Sequence, residues 1–539
     1  SNMHGSREFA PAALAGRTNR HAYWSRGAKI TTMAEKNKDA EAGDQLFELA
    51  ETAKTEGNDH FKNRNYAKAL AAYTRAIDLS LEEDDDGLDS LDGVRPQNPS
   101  IQIYYANRAF CHLKMENFGS ALLDSTKAIE AKPDFPKGWY RRGSTNLLLG
   151  RSKDALKDFT QLCKLAPQDK DAREKLKQCQ KQVQQEKFAM AIASDKTKPM
   201  SETVDVEHMG VDSSYEGPAY KSGEITAEFC KELMEWQRQE KTIAKKYAYQ
   251  IVMDMLELLK GHSTLMDIEV PEGSEITVCG DVHGQYYDLL NIWEINGLPS
   301  EDNPYVFNGD FVDRGSFSIE VILILFAWKL CYPKALNLAR GNHETRSMNK
   351  LYGFEGEVTK KYDEELYQLF CEAFCYLPLA HCINSQIFIV HGGLFSRDGV
   401  TLDEVRKVNR LCEPPDEGLM TEMLWSDPQP GMGRIPSKRG VGVAFGQDVS
   451  EDFLKTNGLK MVIRSHEMKE EGYHVEHSGK CVTVFSAPNY CDQMGNKGAF
   501  IRLDGKTLTP KYTSFNAVPH PNVRPMQYAN PMLGQLMGM

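Results

Sequence analysis

No C-x-x-C pair occurs anywhere in this 539-residue chain, and its twelve cysteines follow no regular spacing. That disfavours a disulfide framework or a thiolate zinc site and fits a reducing compartment. No cysteine has an arginine six positions downstream, which excludes the phosphate cradle in which a thiolate nucleophile is closed off by a guanidinium. Long apolar runs are missing too. The longest lies around Val321 to Trp328, short of the roughly 20 residues a membrane-spanning helix needs. Positive charge is not in excess: 64 Lys plus Arg against 76 Asp plus Glu leave −12. This argues against a general nucleic-acid coat and leaves local basic patches open. With 41% hydrophobic and 26% charged residues, the chain reads as globular, and its length suits two to four domains.

Residues 1–45 read as an unstructured tail. Ser1-Asn2-Met3 resembles a cloning remnant. Arg7, Arg17, Arg20, Arg26 and Lys29 face one acid, Glu8, before Thr32; a transit peptide and a plain tail with translation starting at Met33 both fit. Small residues then recur with a fixed rhythm: Gly57, Ala69 and Ala76; Ala109, Ala121 and Ala128; Gly143 and Ala155, with Leu162 in the last place. Small side chains let paired antiparallel helices pack closely, and Pro133 and Pro167 end the second helix of a pair. The pattern resembles three tetratricopeptide repeats over residues 46–167. An acidic insert at 82–100, including Glu82-Glu83-Asp84-Asp85-Asp86, reads as a solvated loop or an acidic docking arm. Residues 168–223 read as a capping helix followed by a polar linker.

Beyond Gly223, helical stretches alternate with short apolar runs, the grammar of an α/β enzyme. Five of these runs end in metal-capable residues: Gly280-Asp281-Val282-His283-Gly284, Asn308-Gly309-Asp310, Arg340-Gly341-Asn342-His343-Glu344, His391-Gly392-Gly393 and Arg464-Ser465-His466-Glu467. Side chains at neighbouring strand ends converge on one point in an open sheet. This oxygen/nitrogen set suits Mn, Fe or Zn better than calcium.

The motifs GDVHG, GDFVDRG and RGNHE, then HGG and RSHE, identify residues 224–523 as resembling the metal-dependent serine/threonine phosphoprotein phosphatases. The expected fold is therefore multidomain: an all-α tetratricopeptide-repeat solenoid followed by an α/β metallophosphatase domain, a central β-sandwich flanked by helices. The resemblance implies two divalent metals, one held by Asp281, His283 and Asp310, the other by Asp310, Asn342, His391 and His466. It implies in-line attack on phosphorus by hydroxide held between them, with no covalent phosphoenzyme. Arg314 and Arg439 correspond to phosphate clamps, His343 to the acid that protonates the leaving oxygen, Asp313 to its orienting carboxylate, and Tyr490 to a loop over the site.

In the repeats, Lys54, Asn58, Asn107, Lys137 and Arg141 match the family's clamp for a peptide ending in a free carboxylate. The implied partner is the C-terminal tail of the 90-kDa heat-shock protein, ending Glu-Glu-Val-Asp. The resemblance also implies autoinhibition. The repeats, with Glu116 reaching the cleft arginines, cover the site until a peptide or a fatty acid draws them away. The C-terminal tail, 524–539, supplies an apolar latch from Pro531 to Met537. The expected state is a monomer, without nucleic acid, in the cytoplasm and the nucleus. Two rivals stay open: a two-metal phosphoesterase acting on nucleotides or diesters, and a chaperone adaptor with an inactive catalytic domain.

Overall fold

The computed structural model describes residues 33–81, 98–192, 198–531 and 533. Seven helices form the N-terminal part: α1 (Met33–Lys62), α2 (Tyr66–Asp78), α3 (Ile101–Lys114), α4 (Phe118–Ala131), α5 (Pro136–Leu148), α6 (Ser152–Leu165) and α7 (Lys170–Ile192). They pair α1 with α2, α3 with α4 and α5 with α6, as the repeat spacing requires, and α7 covers α6. Fully buried Ala69, Ala76, Ala109, Ala121, Ala128 and Ala155 sit at the helix crossings. A Cβ on Gly57 would fall 2.7 Å from the Tyr73 ring, so these positions must be small. Each hairpin turns through one left-handed residue at the same place: Arg64 (φ 59°), Glu116 (φ 57°) and Gly150 (φ 71°).

Helix α1 starts at Met33, earlier than the 1–45 tail allowed. Its first turns are Ala-, Glu- and Lys-rich, so their polarity hid a strong helix propensity. The basic segment before Met33 and residues 82–97 of the acidic insert lie outside the described residues. The polar linker is docked on the following domain. Its short helix α8 (Met200–Thr203) is fixed by Glu372, which accepts from the Ser201 amide at 3.0 Å and hydroxyl at 2.6 Å. Met200, Val204, Val206, Met209 and Tyr215 pack on the core of the following domain.

That domain has fourteen strands. They are β1 (Leu265–Ile268), β2 (Glu275–Cys279), β3 (Tyr305–Phe307), β4 (Leu336–Leu338), β5 (Ala380–Ile383), β6 (Ile387–Val390), β7 (Asp427–Pro428), β8 (Arg434–Pro436), β9 (Val443–Phe445), β10 (Met461–Arg464), β11 (Tyr473–Glu476), β12 (Cys481–Val484), β13 (Gly498–Asp504) and β14 (Pro510–Phe515). A six-stranded sheet runs β1-β5-β6-β10-β12-β11, a five-stranded sheet runs β14-β13-β2-β3-β4, and β7-β9-β8 form a small third sheet. Val278, Val306, Ile389, Ile463, Val482 and Ile501 interdigitate between the two large sheets. The outer face of the five-stranded sheet is covered by α9 (Ala227–Arg238), α10 (Lys245–Lys260), α11 (Tyr286–Asn296), α12 (Ser318–Cys331), α14 (Phe354–Lys361) and α15 (Glu364–Tyr376), while α13 (Arg346–Tyr352) faces the repeats. Helix α12 is apolar nearly all round and buried from Ser318 to Lys329, as a helix at the centre of a layer must be. No described helix is long and apolar enough to cross a membrane.

Two features join the halves. The α3–α4 turn enters the mouth of the second domain, and the segment after β14 runs back as a strap. Along the strap the Val518 amide donates to Asp288 (3.0 Å), the Ser316 hydroxyl to the Arg524 carbonyl (2.7 Å) and the Met526 amide to the Arg314 carbonyl (2.8 Å). Leu533 then lies fully buried with Leu113, Phe118, Ala121 and Leu148 of the repeats and Tyr352 of α13. Burying one leucine contributes about 1.5–3 kcal/mol. This is the described part of the expected latch; Met532 and residues 534–539 lie outside the described residues.

Candidate active site

The turns after β2, β3, β4, β6 and β10 meet at one buried point between the sheets' ends. His283, Asp310, Asp313, Arg314 and His466 all hold positive φ, at 42°, 53°, 70°, 69° and 68°. Such non-glycine conformations cost of order 1–3 kcal/mol each and persist where surrounding structure enforces them. Glu344, wholly buried, supplies part of that enforcement. Its carboxylate accepts from the amides of Asp310, Phe311 and Gly341, each at 2.8 Å.

The side chains aim lone pairs at one another. Asp310 Oδ2 is 3.5 Å from His283 Nε2 and 3.3 Å from His391 Nε2. His391 Nε2 is 2.9 Å from Asn342 Oδ1 and 3.2 Å from His466 Nδ1. Asp281 Oδ2 lies 3.7 Å from His283 Nε2. His283 Nδ1 faces the Val312 carbonyl at 3.0 Å and His391 Nδ1 the Asn308 carbonyl at 2.8 Å. The proton therefore sits on Nδ1 in both rings and Nε2 presents a lone pair, the tautomer of a metal ligand. Two ligand-sized groups emerge, His283 with Asp310 and His343, and Asp310 with His391 and His466. Asp310 belongs to both. Converging acceptors without donors are repulsive, so this donor set fits divalent cations. Burial pushes Asp281 up to about 7 and Asp310 up to about 8, and holds His283 and His466 well below the usual imidazole range.

Beside this cluster, His343 Nδ1 faces Asp313 Oδ2 at 2.8 Å. Asp313 is itself fixed by the Phe354 amide (2.9 Å) and the Asn349 side chain (3.2 Å). The Arg439 Nε donates to Asp427 Oδ2 at 2.6 Å and its Nη2 to the His466 carbonyl at 3.0 Å. Arg314 stacks 3.7 Å over the Tyr352 ring and donates from Nη1 to Glu116 Oε1 at 2.7 Å and from Nη2 to Glu116 Oε2. Burial raises the Glu116 carboxyl, but the Arg314 guanidinium outweighs it and holds it below the ordinary range. Tyr490 leans over the cluster, its ring 5.2 Å from that of His283. All eleven residues expected at the centre thus converge, with Glu116 added from the repeats. Tyr352, Glu344, Asn349 and Asp427 were not anticipated. Glu344 closes the RGNHE motif, so adjacency was the available signal there; Asp427 stands in none of the motifs.

The peptide-clamp candidates are less tightly gathered. Asn107 Nδ2 donates to Asn58 Oδ1 at 3.3 Å. Lys54 pairs with Glu51 of its own helix. The Arg141 guanidinium lies 3.4 Å over the Phe110 ring, and Lys137 is exposed on α5.

Fold and site together define a calcineurin-like metallophosphoesterase carried behind tetratricopeptide repeats. Family profiles agree: residues 274–470 match the calcineurin-like phosphoesterases, 136–169 a tetratricopeptide repeat, and 176–267 the profile described as the PPP5 TPR repeat region. Serine/threonine-protein phosphatase 5 of Homo sapiens is 51% identical over 504 residues, covering 93% of this chain and 97% of its own length. That of Arabidopsis thaliana is 48% identical over 540 residues, covering 90% and 97%. A solved Saccharomyces cerevisiae serine/threonine phosphatase, described as similar to human phosphatase PP5, is 40% identical with a TM-score of 0.52, covering 54% of this chain and 95% of its own. The chain belongs to the serine/threonine-protein phosphatase 5 family. It is a protein-serine/threonine phosphatase of the two-metal type.

Proposed function

We propose that Asp281, His283 and Asp310 hold one divalent ion and Asp310, Asn342, His391 and His466 the other, drawn from Mn, Fe and Zn. The observation that carries this is Asp310, whose Oδ2 faces imidazole nitrogens of both groups. The bound ions supply positive charge for phosphate oxygens and acidify water toward neutrality. Arg314 grips the phosphate oxygens as a fork and Arg439 adds a further guanidinium contact. The Asp427 carboxylate takes Nε and Nη2 of Arg439, and the His466 carbonyl takes Nη2 again, which leaves Nη1 for substrate. His343 donates a proton from Nε2 to the departing serine or threonine oxygen, while Asp313 holds its Nδ1–H and turns the ring. In the free site burial and the neighbouring arginine keep His343 neutral; an arriving phosphate dianion favours the protonated ring.

The same reading makes the described arrangement a closed state. Glu116 occupies Arg314 as a phosphate would, and Leu533 binds strap to repeats. A peptide with a terminal carboxylate and an acidic neighbour, the C-terminal tail of the 90-kDa heat-shock protein, engages Lys54, Asn58, Asn107, Lys137 and Arg141 and draws the repeats away. A fatty acid is a second activator, and the enzyme works as a monomer in cytoplasm and nucleus. The test is turnover of a phosphoserine peptide and a cyclic nucleotide by the metal-loaded full chain, with and without an Asp-terminated tail peptide. Phosphopeptide hydrolysis that rises with the tail peptide supports the reading. Preferential cyclic-nucleotide hydrolysis, or indifference to the tail peptide, contradicts it.

A further inference from the structure

Helix α4 begins without a cap of its own, and its counterpart in the preceding repeat does not. In the first repeat Asn65 stands at the N-cap of α2 and its side chain accepts from the Lys68 amide at 3.3 Å. Asn117 takes the same place before α4, with nearly the same backbone: φ −81°, ψ 65° against φ −86°, ψ 73°. Yet its side chain makes no cap bond. The amide it would serve, that of Ser120, donates to the Lys438 carbonyl at 3.1 Å. The first amides of a helix have no partner within the helix, so the catalytic domain provides the one that Asn117 withholds. Lys438 adjoins Arg439 in the loop Ser437-Lys438-Arg439-Gly440.

Gly119, between Asn117 and Ser120, makes this approach possible. A Cβ there would meet Gly440 N at 2.3 Å, Gly440 Cα at 2.6 Å and the Ser437 carbonyl oxygen at 2.7 Å. All three atoms are catalytic-domain backbone, so a methyl group obstructs docking while its nearest contacts leave the repeat itself untouched.

We infer that α4 exchanges its N-terminal cap: the Lys438 carbonyl caps the Ser120 amide in the closed state, and the Asn117 side chain takes it over in the open state. One amide proton serves one strong acceptor at a time, so the two caps compete. Asn117 lowers the energetic cost of opening, and Gly119 permits closing. The inference rests on the closed-state reading above.

The test uses full-length, metal-loaded chains carrying Asn117→Ala, Asn117→Ser, Gly119→Ala, Glu116→Ala, and Glu116→Ala with Asn117→Ala. Basal phosphoserine-peptide turnover and amide hydrogen exchange at Ser120 are measured. Removing an N-cap shifts an equilibrium about fivefold, so Asn117→Ala lowers basal turnover about fivefold. Asn117→Ser, which keeps a capping oxygen, matches the wild type, and Gly119→Ala rises toward Glu116→Ala. Ser120 exchanges slowly in Glu116→Ala and quickly in the double variant. Unchanged or increased turnover in Asn117→Ala overturns the inference, as does equal Ser120 exchange in the single and double variants. If Glu116→Ala itself fails to raise turnover, the closed-state reading falls first. Amides in the middle of α4, protected in every folded variant, serve as the reference against which Ser120 exchange is compared.

Discussion

Replacing Glu116 tests the coupling between repeats and cleft at its narrowest point. Its carboxylate meets the Arg314 guanidinium fork to fork, with the two side chains 25% and 9% exposed. On opening, both groups regain water, so the relevant quantity is the net value of a charge-assisted pair, about 1.5–3 kcal/mol. Glu116→Ala therefore moves the closed-to-open equilibrium about tenfold to about a hundredfold toward open, and basal turnover of a phosphoserine peptide rises until it meets the fully open rate. Glu116 also holds the left-handed turn at φ 57°, where the third repeat uses Gly150. Glu116→Gly relieves that conformation and Glu116→Ala does not, yet both remove the carboxylate. Equal activation of the two assigns the effect to charge; activation by glycine alone assigns it to strain. The assay is initial rate without tail peptide, and the fold-activation on adding that peptide shrinks in parallel. Basal rates unchanged in both folded variants refute the reasoning.

Three other outcomes follow from named contacts. Asp427→Asn weakens the hold on Arg439 and leaves buried Arg464 without its 2.8 Å carboxylate contact; KM for a phosphopeptide rises roughly tenfold, the scale of one charge-assisted hydrogen bond, and an unchanged KM contradicts the role. Lys361→Met strands Glu320 and Glu357, whose side chains are 6% and 1% exposed; breaking such a network costs about 3–5 kcal/mol, readable as a lower urea midpoint, and a loss under about 1 kcal/mol argues against it. His520 is lowered by burial but raised further by the Pro521 carbonyl and Asp492, so its folded value lies above the ordinary one. Its contribution is complete below the unfolded value near about 6.5 and fades as pH rises through the higher folded value. At 31% exposure it is worth under about 1 kcal/mol. A proton NMR titration sees the elevated value fall in Asp492→Asn.

The candidate centre is readable because its proposed ligands directly follow short apolar strands, so motif order and spatial convergence coincide. Asp281 follows β2, Asp310 lies in the turn after β3 and His391 follows β6. The supporting residues were harder for the opposite reason. Asp427 reaches Arg439 from β7, which pairs with β9 beside the β8–β9 loop that carries Arg439, and Tyr352 reaches Arg314 from the end of α13, so only tertiary packing joins them. The packing of the polar linker was not legible because its apolar residues, from Met200 to Tyr215, are irregularly spaced; they match no helix or strand period, yet Met200, Val204, Val206, Met209 and Tyr215 pack on the domain core. The early start of α1 was hidden by composition, since residues that solvate a tail also favour a helix. Leu533 had an apolar context that suggested a latch, but its seat against Phe118 and Tyr352 is a property of two domains together.

The shared carboxylate of Asp310 offers the most direct trial of the whole account. Metal-free chain is reconstituted with Mn, and bound metal per chain is counted by elemental analysis for the wild type and for Asp310→Asn. Two ions per wild-type chain and loss of both in the variant, with phosphopeptide turnover lost alongside, are what the account predicts. An Asp310→Asn chain that keeps its metal and its turnover would contradict it.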